Sequence, residues 1–139
     1  MASKIEISLA AVLMAAAANM AVGAVWYSPR LLGKRWLAAM GWSPKELARR
    51  RQQGLSKAYG GTFLVSLVLA YFLAHVVKFM GASTLLDGAH VGFWVWLGFV
   101  ATTSLGAYLF EGRPLALYLI NAGGQLAGLL VMGGLLAVV

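Results

Sequence analysis

The chain has 139 residues, 61% of them apolar and 11% charged, with a formal net charge of +7. A soluble domain averages about 45–50% apolar and about 25% charged residues, so this balance excludes an ordinary water-soluble fold and points to a membrane protein. The absence of cysteine also excludes a disulfide-stapled secreted fold, a thiolate metal site and a cysteine nucleophile.

A helix needs about 20 apolar residues to cross a bilayer. Four stretches are long enough: 5–27, 58–80, 89–110 and 115–138. The expected fold class is all-α, a polytopic membrane protein whose four transmembrane helices form a single domain over residues 1–139, with an amphipathic basic loop between the first two. Lys4 ahead of the first stretch, and the small residues Ala21, Gly23 and Ala24 within it, are features of a secretory signal. However, its apolar run exceeds the usual signal core of roughly 7–15 residues, and the basic segment that follows resists translocation.

Residues 28–57 are the long polar connection. Leu32, Trp36, Ala39 and Met40 recur at helical spacing, an apolar stripe suited to lying in the interface with Lys34 and Arg35 toward headgroups. Ser43-Pro44-Lys45-Glu46 reads as a capping box with proline at the first helical position. Trp42 and Leu47 stand where a hydrophobic staple would, and Gly54 where a left-handed stop would.

Orientation follows from the eleven Lys and Arg residues. Arg30, Lys34, Arg35, Lys45, Arg49, Arg50, Arg51 and Lys57 lie between the first two stretches and Arg113 between the last two, against Lys4 and Lys78 on the other side. Basic loops stay in the cytoplasm. Both termini are therefore expected outside a bacterial cytoplasmic membrane. Arg30, Lys34, Arg35, Trp36, Arg49, Arg50 and Arg51 are expected at anionic headgroups, where each basic residue contributes roughly 1 kcal/mol. Trp26, Tyr27, Tyr59, Phe110 and Tyr118 would belt the inner interface, and Phe79, Phe93 and Trp94 the outer one. Nucleic acid is not an expected partner, because a loop of this length is too short for a folded module with base-stacking aromatics.

Polar side chains within spans need a reason. Counted along the helices, Asn19 lies about 12 Å and Asn121 about 10 Å from the inner ends of their spans. Ser104 sits at similar depth, Thr102 and Thr103 deeper, and Gln125 near the middle. These residues either line a polar pocket open to the cytoplasm, with Glu111 at its mouth, or bond helices together for about 0.6 kcal/mol each. Glu111 and Arg113 flank Gly112 ahead of Pro114, which also suits a plain turn with an ion pair and a proline opening the next helix.

On the outer side His75, Asp87 and His90 are weak candidates for a metal site. Asp87 and His90 also read as the cap and first turn of the third helix. No metal and no other cofactor is expected. The chain has no phosphate-binding glycine loop, no His-Glu-x-x-His and no Gly-x-Ser-x-Gly, so no catalytic residue is assigned and an enzyme is not expected.

Gly124 and Gly128 form a Gly-x-x-x-Gly pair extended by Gly123 and Ala127, while Ala15, Ala16, Ala18 and Gly23 narrow the first span. Small residues let helices approach closely, so the first and fourth helices are expected as central contacts. Residues 101–115 echo residues 18–32, with Ala18, Gly23, Ala24, Arg30 and Leu32 matched by Ala101, Gly106, Ala107, Arg113 and Leu115. The echo reads either as a repeated hairpin or as chance in a chain with 17 glycines. Four helices enclose little volume, so a solute path would need a homo-oligomer, by default a dimer.

Three segments carry a family likeness: Val25-Trp26-Tyr27-Ser28-Pro29-Arg30-Leu31-Leu32-Gly33-Lys34-Arg35-Trp36, Gly98-Phe99-Val100-Ala101-Thr102-Thr103, and Phe110-Glu111-Gly112-Arg113-Pro114. With them the chain resembles, over nearly its whole length, the bacterial domain-of-unknown-function family numbered 1761. The resemblance implies a small multi-span membrane protein and supplies no activity. The functional expectation is a small homo-oligomeric transporter or channel-like protein with a cytoplasm-facing polar pocket. The alternatives are an accessory or scaffold subunit of a larger membrane complex, packed through its glycine faces, and an interfacial membrane enzyme.

Overall fold

The structure, a computed structural model, describes residues 6–139. Lys4 and the first residue of the expected first span lie outside the described residues. The architecture is all-helical, and four helices are long and apolar enough to cross a membrane.

The first of these is α1 (Leu9–Trp26), capped where the Ser8 hydroxyl accepts the Ala11 N–H. A turn follows in which the Gly33 N–H donates to Ser28 O at 2.9 Å. A Cβ on Gly33 would collide with the Tyr27 carbonyl oxygen and lie 2.8 Å from that of Ser28, so the turn requires glycine there. Two short helices then cover the expected polar connection: α2 (Gly33–Met40), ended by left-handed Gly41, and α3 (Pro44–Gln52). The Ser43 hydroxyl caps α3 by accepting the Glu46 N–H at 3.1 Å, as the capping box requires. The Glu46 carboxylate does not complete the box and instead accepts from Arg49 at 2.9 Å and Arg50 at 3.0 Å. Gly54 has positive φ, as expected of a stop, and α4 (Leu55–Phe79) begins directly after it.

The third span runs from Leu85 to Glu111 and starts four residues before the expected 89. Its cap is Thr84, whose hydroxyl accepts the Asp87 N–H at 3.1 Å, so Asp87 sits in the first turn and is not the cap. The span has three parts: α5 (Leu85–Val95), a π-helical segment (Trp96–Ala101) and α6 (Thr102–Glu111). Left-handed Gly112 and then Pro114, one residue before the helix proper, lead into α7 (Leu115–Val138).

The four long helices alternate in direction, and α7 contacts the other three. Residues 28–54 and Arg113 lie at one end, termed here the basic end, where the Arg113 guanidinium reaches the Met40 sulfur at 3.9 Å. The apolar core lies in the opposite half, formed by Val12, Ala15 and Ala16 of α1, Leu73, Ala74 and Val77 of α4, Val91 of α5, and Leu129, Met132 and Leu136 of α7. The closest helix approach is there too. A Cβ on Gly88 would strike the Gly133 carbonyl oxygen, and one on Gly92 would strike that of Leu129. The central contact is therefore α5 on α7, with α1 second, a revision of the expected pairing of first and fourth spans. Such glycine contacts let the two backbones pack in van der Waals contact.

The glycine expectations divide. Gly123 and Gly124 pack under the Trp26 ring, at 2.8 and 2.9 Å from a would-be Cβ, and Gly128 seats the Asn19 side-chain oxygen. Gly23 and Gly106 have nothing within 4 Å of a Cβ and make no close helix contact. Just ahead of the echoed stretches the two helices differ, since α1 carries no counterpart of the π segment.

Candidate functional site

The π segment sets the geometry of the site. A π turn adds about one residue to the helix and turns the face beyond it by about 100°. Here α5 lies along α7, while α6 touches it at few points. The segment is held at both ends from α7. The Trp96 indole donates to Ala122 O at 2.8 Å, and the Tyr118 hydroxyl donates to Ala101 O at 2.8 Å. Thr102 and Thr103 hydroxyls bond back to the carbonyls of Gly98 and Phe99, and so serve backbone carbonyls within the wider turn.

Beyond the segment, α6 and α7 bound an open cleft of about 240 Å³ toward the basic end. Of the seven residues expected in a polar pocket, Ser104, Glu111, Asn121 and Gln125 line it, joined by Tyr108, Arg113 and Tyr118. Thr102 and Thr103 do not, because their hydroxyls are committed to the backbone of their own helix. Asn19 does not either. Its amide donates to Ser66, which is only 2% exposed, at 2.9 Å, and it sits against Gly128. Asn19 thus ties α1, α4 and α7 together as an interhelical bond. Depth counting misplaced it because it assumes that helix ends lie flush. Trp26 at the end of α1 stands level with Gly123 and Gly124, so α7 runs on past α1 by about 10 Å.

At the mouth, Arg113 Nε donates to a Glu111 carboxylate oxygen at 2.9 Å, with both side chains about half exposed. Such a pair contributes about 0–1 kcal/mol and leaves the cleft without net charge. Deeper in, the Tyr27 hydroxyl donates to Asn121 Oδ1 at 2.8 Å. The Tyr27 ring meets Trp36 edge-on at 5.9 Å, Trp36 meets Trp42 at 5.4 Å, and the Arg50 guanidinium lies 4.3 Å from the Trp42 ring centre. This run of rings carries the α2–α3 segment back to the cleft.

The basic residues expected at headgroups, Arg30, Lys34, Arg35, Arg49, Arg50 and Arg51, are exposed, but Trp36 is half-buried between Tyr27 and Trp42. Trp26 and Tyr118, expected in an interfacial belt, bond α7 and the π segment instead, the Trp26 indole donating to Ile120 O at 2.8 Å. The Arg49 guanidinium, hydrogen-bonded to Glu46, holds that carboxyl below its usual range, with Arg50 adding to the effect.

His75, Asp87 and His90 do not converge. Among the described residues no three His, Asp or Glu side chains form a group. The His75 ring meets Tyr71 edge-on at 4.7 Å, with Nδ1 3.0 Å from the Tyr71 carbonyl of its own helix. Asp87 and His90 line a separate groove between α4 and the third span.

The sequence reading missed Gly88 and Gly92, although their Gly-x-x-x-Gly spacing was there to find. It also missed the tyrosine and tryptophan side chains that bond the backbone of α7 and the π segment.

Residues 10–137 match the model of a family described as protein of unknown function DUF1761. The chain belongs to this family. The match takes in the π segment, the cleft and the α2–α3 turn. No curated protein and no solved structure matches the chain.

Proposed function

We propose that the protein is a multi-pass membrane protein of the bacterial cytoplasmic membrane, with its basic end in the cytoplasm and both termini outside, that binds a small polar solute in the cleft between α6 and α7. Nine basic residues at one end support the orientation. Large apolar side chains turned outward, such as Phe110 at 97%, Phe79 at 75% and Phe99 at 71% exposure, support insertion, since lipid is the solvent that tolerates them.

The observation that carries the solute reading is the cleft itself. Amide, hydroxyl and phenol groups line it around a neutral ion pair, a set suited to a small neutral or zwitterionic molecule. Its volume is below the roughly 300–1,000 Å³ of drug-sized pockets. Past its deep end α5 and α7 are in backbone contact at Gly88 and Gly92. A transporter or channel therefore needs movement at the π segment, or a second copy. We favour a non-enzymatic homo-oligomer. An accessory subunit docking through Gly123, Gly124 and Gly128 draws less support, because Trp26 and Asn19 of the same chain already occupy those faces.

The test is Gln125→Leu, which removes a polar lining group that makes no side-chain hydrogen bond among the described residues. Small neutral and zwitterionic solutes are screened by thermal shift on the purified protein, and the flux of any hit is measured in liposomes. A stabilising solute whose binding and flux are lost in Gln125→Leu, with assembly intact, is the expected result. Binding and flux unchanged by the substitution would remove the proposed lining.

A further inference from the structure

The molecule holds a larger space than the cleft. A groove of about 560 Å³ runs between α4 and the third span, with Met80, Trp94, Gly98 and Phe99 among its apolar lining and Asp87 and His90 at one end. From Asp87 to Gly98 the helix rises about 16 Å, close to half of the roughly 30 Å hydrocarbon core of a bilayer. An apolar groove of one leaflet's depth with a polar mouth has the dimensions of a single lipid chain and its headgroup.

The charges at the mouth select the headgroup. Glu46 and Glu111 both pair with arginines, whereas Asp87 forms no ion pair among the described residues. Lys78, the described basic residue nearest in sequence, does not line the groove. Asp87 and His90 are three residues apart and share one face of α5. They offer a carboxylate to a cation and an imidazole to a phosphate. The floor is open at Gly98, where a Cβ would meet nothing within 4 Å.

We propose that this groove is a lipid site, holding an acyl chain of an outer-leaflet glycerophospholipid with a primary-amine headgroup, its ammonium on Asp87 and its phosphate beside His90. The site rests on the membrane reading above but is independent of the cleft.

The test is native mass spectrometry and lipid extraction of the protein released from nanodiscs of equal parts phosphatidylethanolamine, phosphatidylcholine and phosphatidylglycerol. Phosphatidylethanolamine, whose ammonium can donate to a carboxylate, is retained at one per chain and about tenfold over phosphatidylcholine, which cannot. Asp87→Asn brings the two lipids to parity. Gly98→Leu, whose Cβ meets nothing within 4 Å and whose side chain enters the groove, removes the retained lipid and leaves the melting temperature as in the wild type.

Equal retention of the two lipids by the wild type, or retention unmoved by both substitutions, overturns the site. So does a dimer that Gly98→Leu dissociates, since a second copy would then hold the groove. A wrong membrane reading appears differently, as a chain that stays dissolved without detergent and carries no lipid.

Discussion

The half of the bundle away from the basic end and the half beside it are built on different rules. In the first, α5 and α7 touch backbone to backbone at Gly88, Gly92 and Gly133, around a core of alanine, valine and leucine. In the second, aromatic side chains lie between the helices. Trp26, Trp96 and Tyr118 each reach across to bond a backbone carbonyl, and Tyr118 also lines the cleft between α6 and α7. Side-chain size thus sets the distance between helices, and the π segment marks where one regime gives way to the other.

The largest break of this contrast is expected at the glycine contact. Gly92→Leu drives a side chain into the Leu129 carbonyl, and thermal unfolding in detergent should report a loss of about 3 kcal/mol. Gly23→Ala and Gly106→Ala, with open space around each, should leave stability unchanged or raise it by up to about 1 kcal/mol through helix propensity. Next comes the polar tie among α1, α4 and α7. Asn19→Ala leaves the Ser66 hydroxyl buried without its partner and should cost about 1–2 kcal/mol, and a double-mutant cycle with Ser66→Ala should return a coupling of about 0.6 kcal/mol. Trp96→Phe removes one indole bond to Ala122 and should cost about 1 kcal/mol, with faster amide exchange at residues 96–103 as the local sign.

These expectations depend on features unequally legible in the sequence. The four long apolar helices were readable to within a few residues because length and apolar content decide them, and the α3 start was readable because Ser43-Pro44-Lys45-Glu46 is a local signal. The π segment was not, since Trp96–Ala101 has the composition of any apolar helix and its shape depends on Trp96 and Tyr118 reaching α7. Four of the seven pocket residues fell on the cleft because α6 and α7 follow one another through a short turn. Asn19 did not, because the stagger between α1 and α7 is a tertiary fact. Gly123 and Gly124 were read as helix contacts, but what they receive is the Trp26 ring.

The smallest expected effect lies at the surface of the basic end. With the Glu46 carboxyl held below its unfolded-state value by Arg49, its contribution to α3 is present above the unfolded value. That contribution disappears as pH falls through the folded one. Amide exchange across residues 43–52 should rise in that acid window and nowhere near neutrality, and Glu46→Gln should abolish the dependence.

The chain's lack of cysteine makes single-cysteine labelling the most direct measurement. Ser104→Cys and Gln125→Cys place thiols in the cleft, and Met132→Cys places one in the core of the other half. With a membrane-impermeant maleimide, inverted vesicles should label positions 104 and 125 and intact cells should not, while position 132 stays unlabelled from both sides. Labelling of 104 and 125 from outside the cell, or their protection from both sides, would contradict a water-filled cleft that opens at the basic end into the cytoplasm.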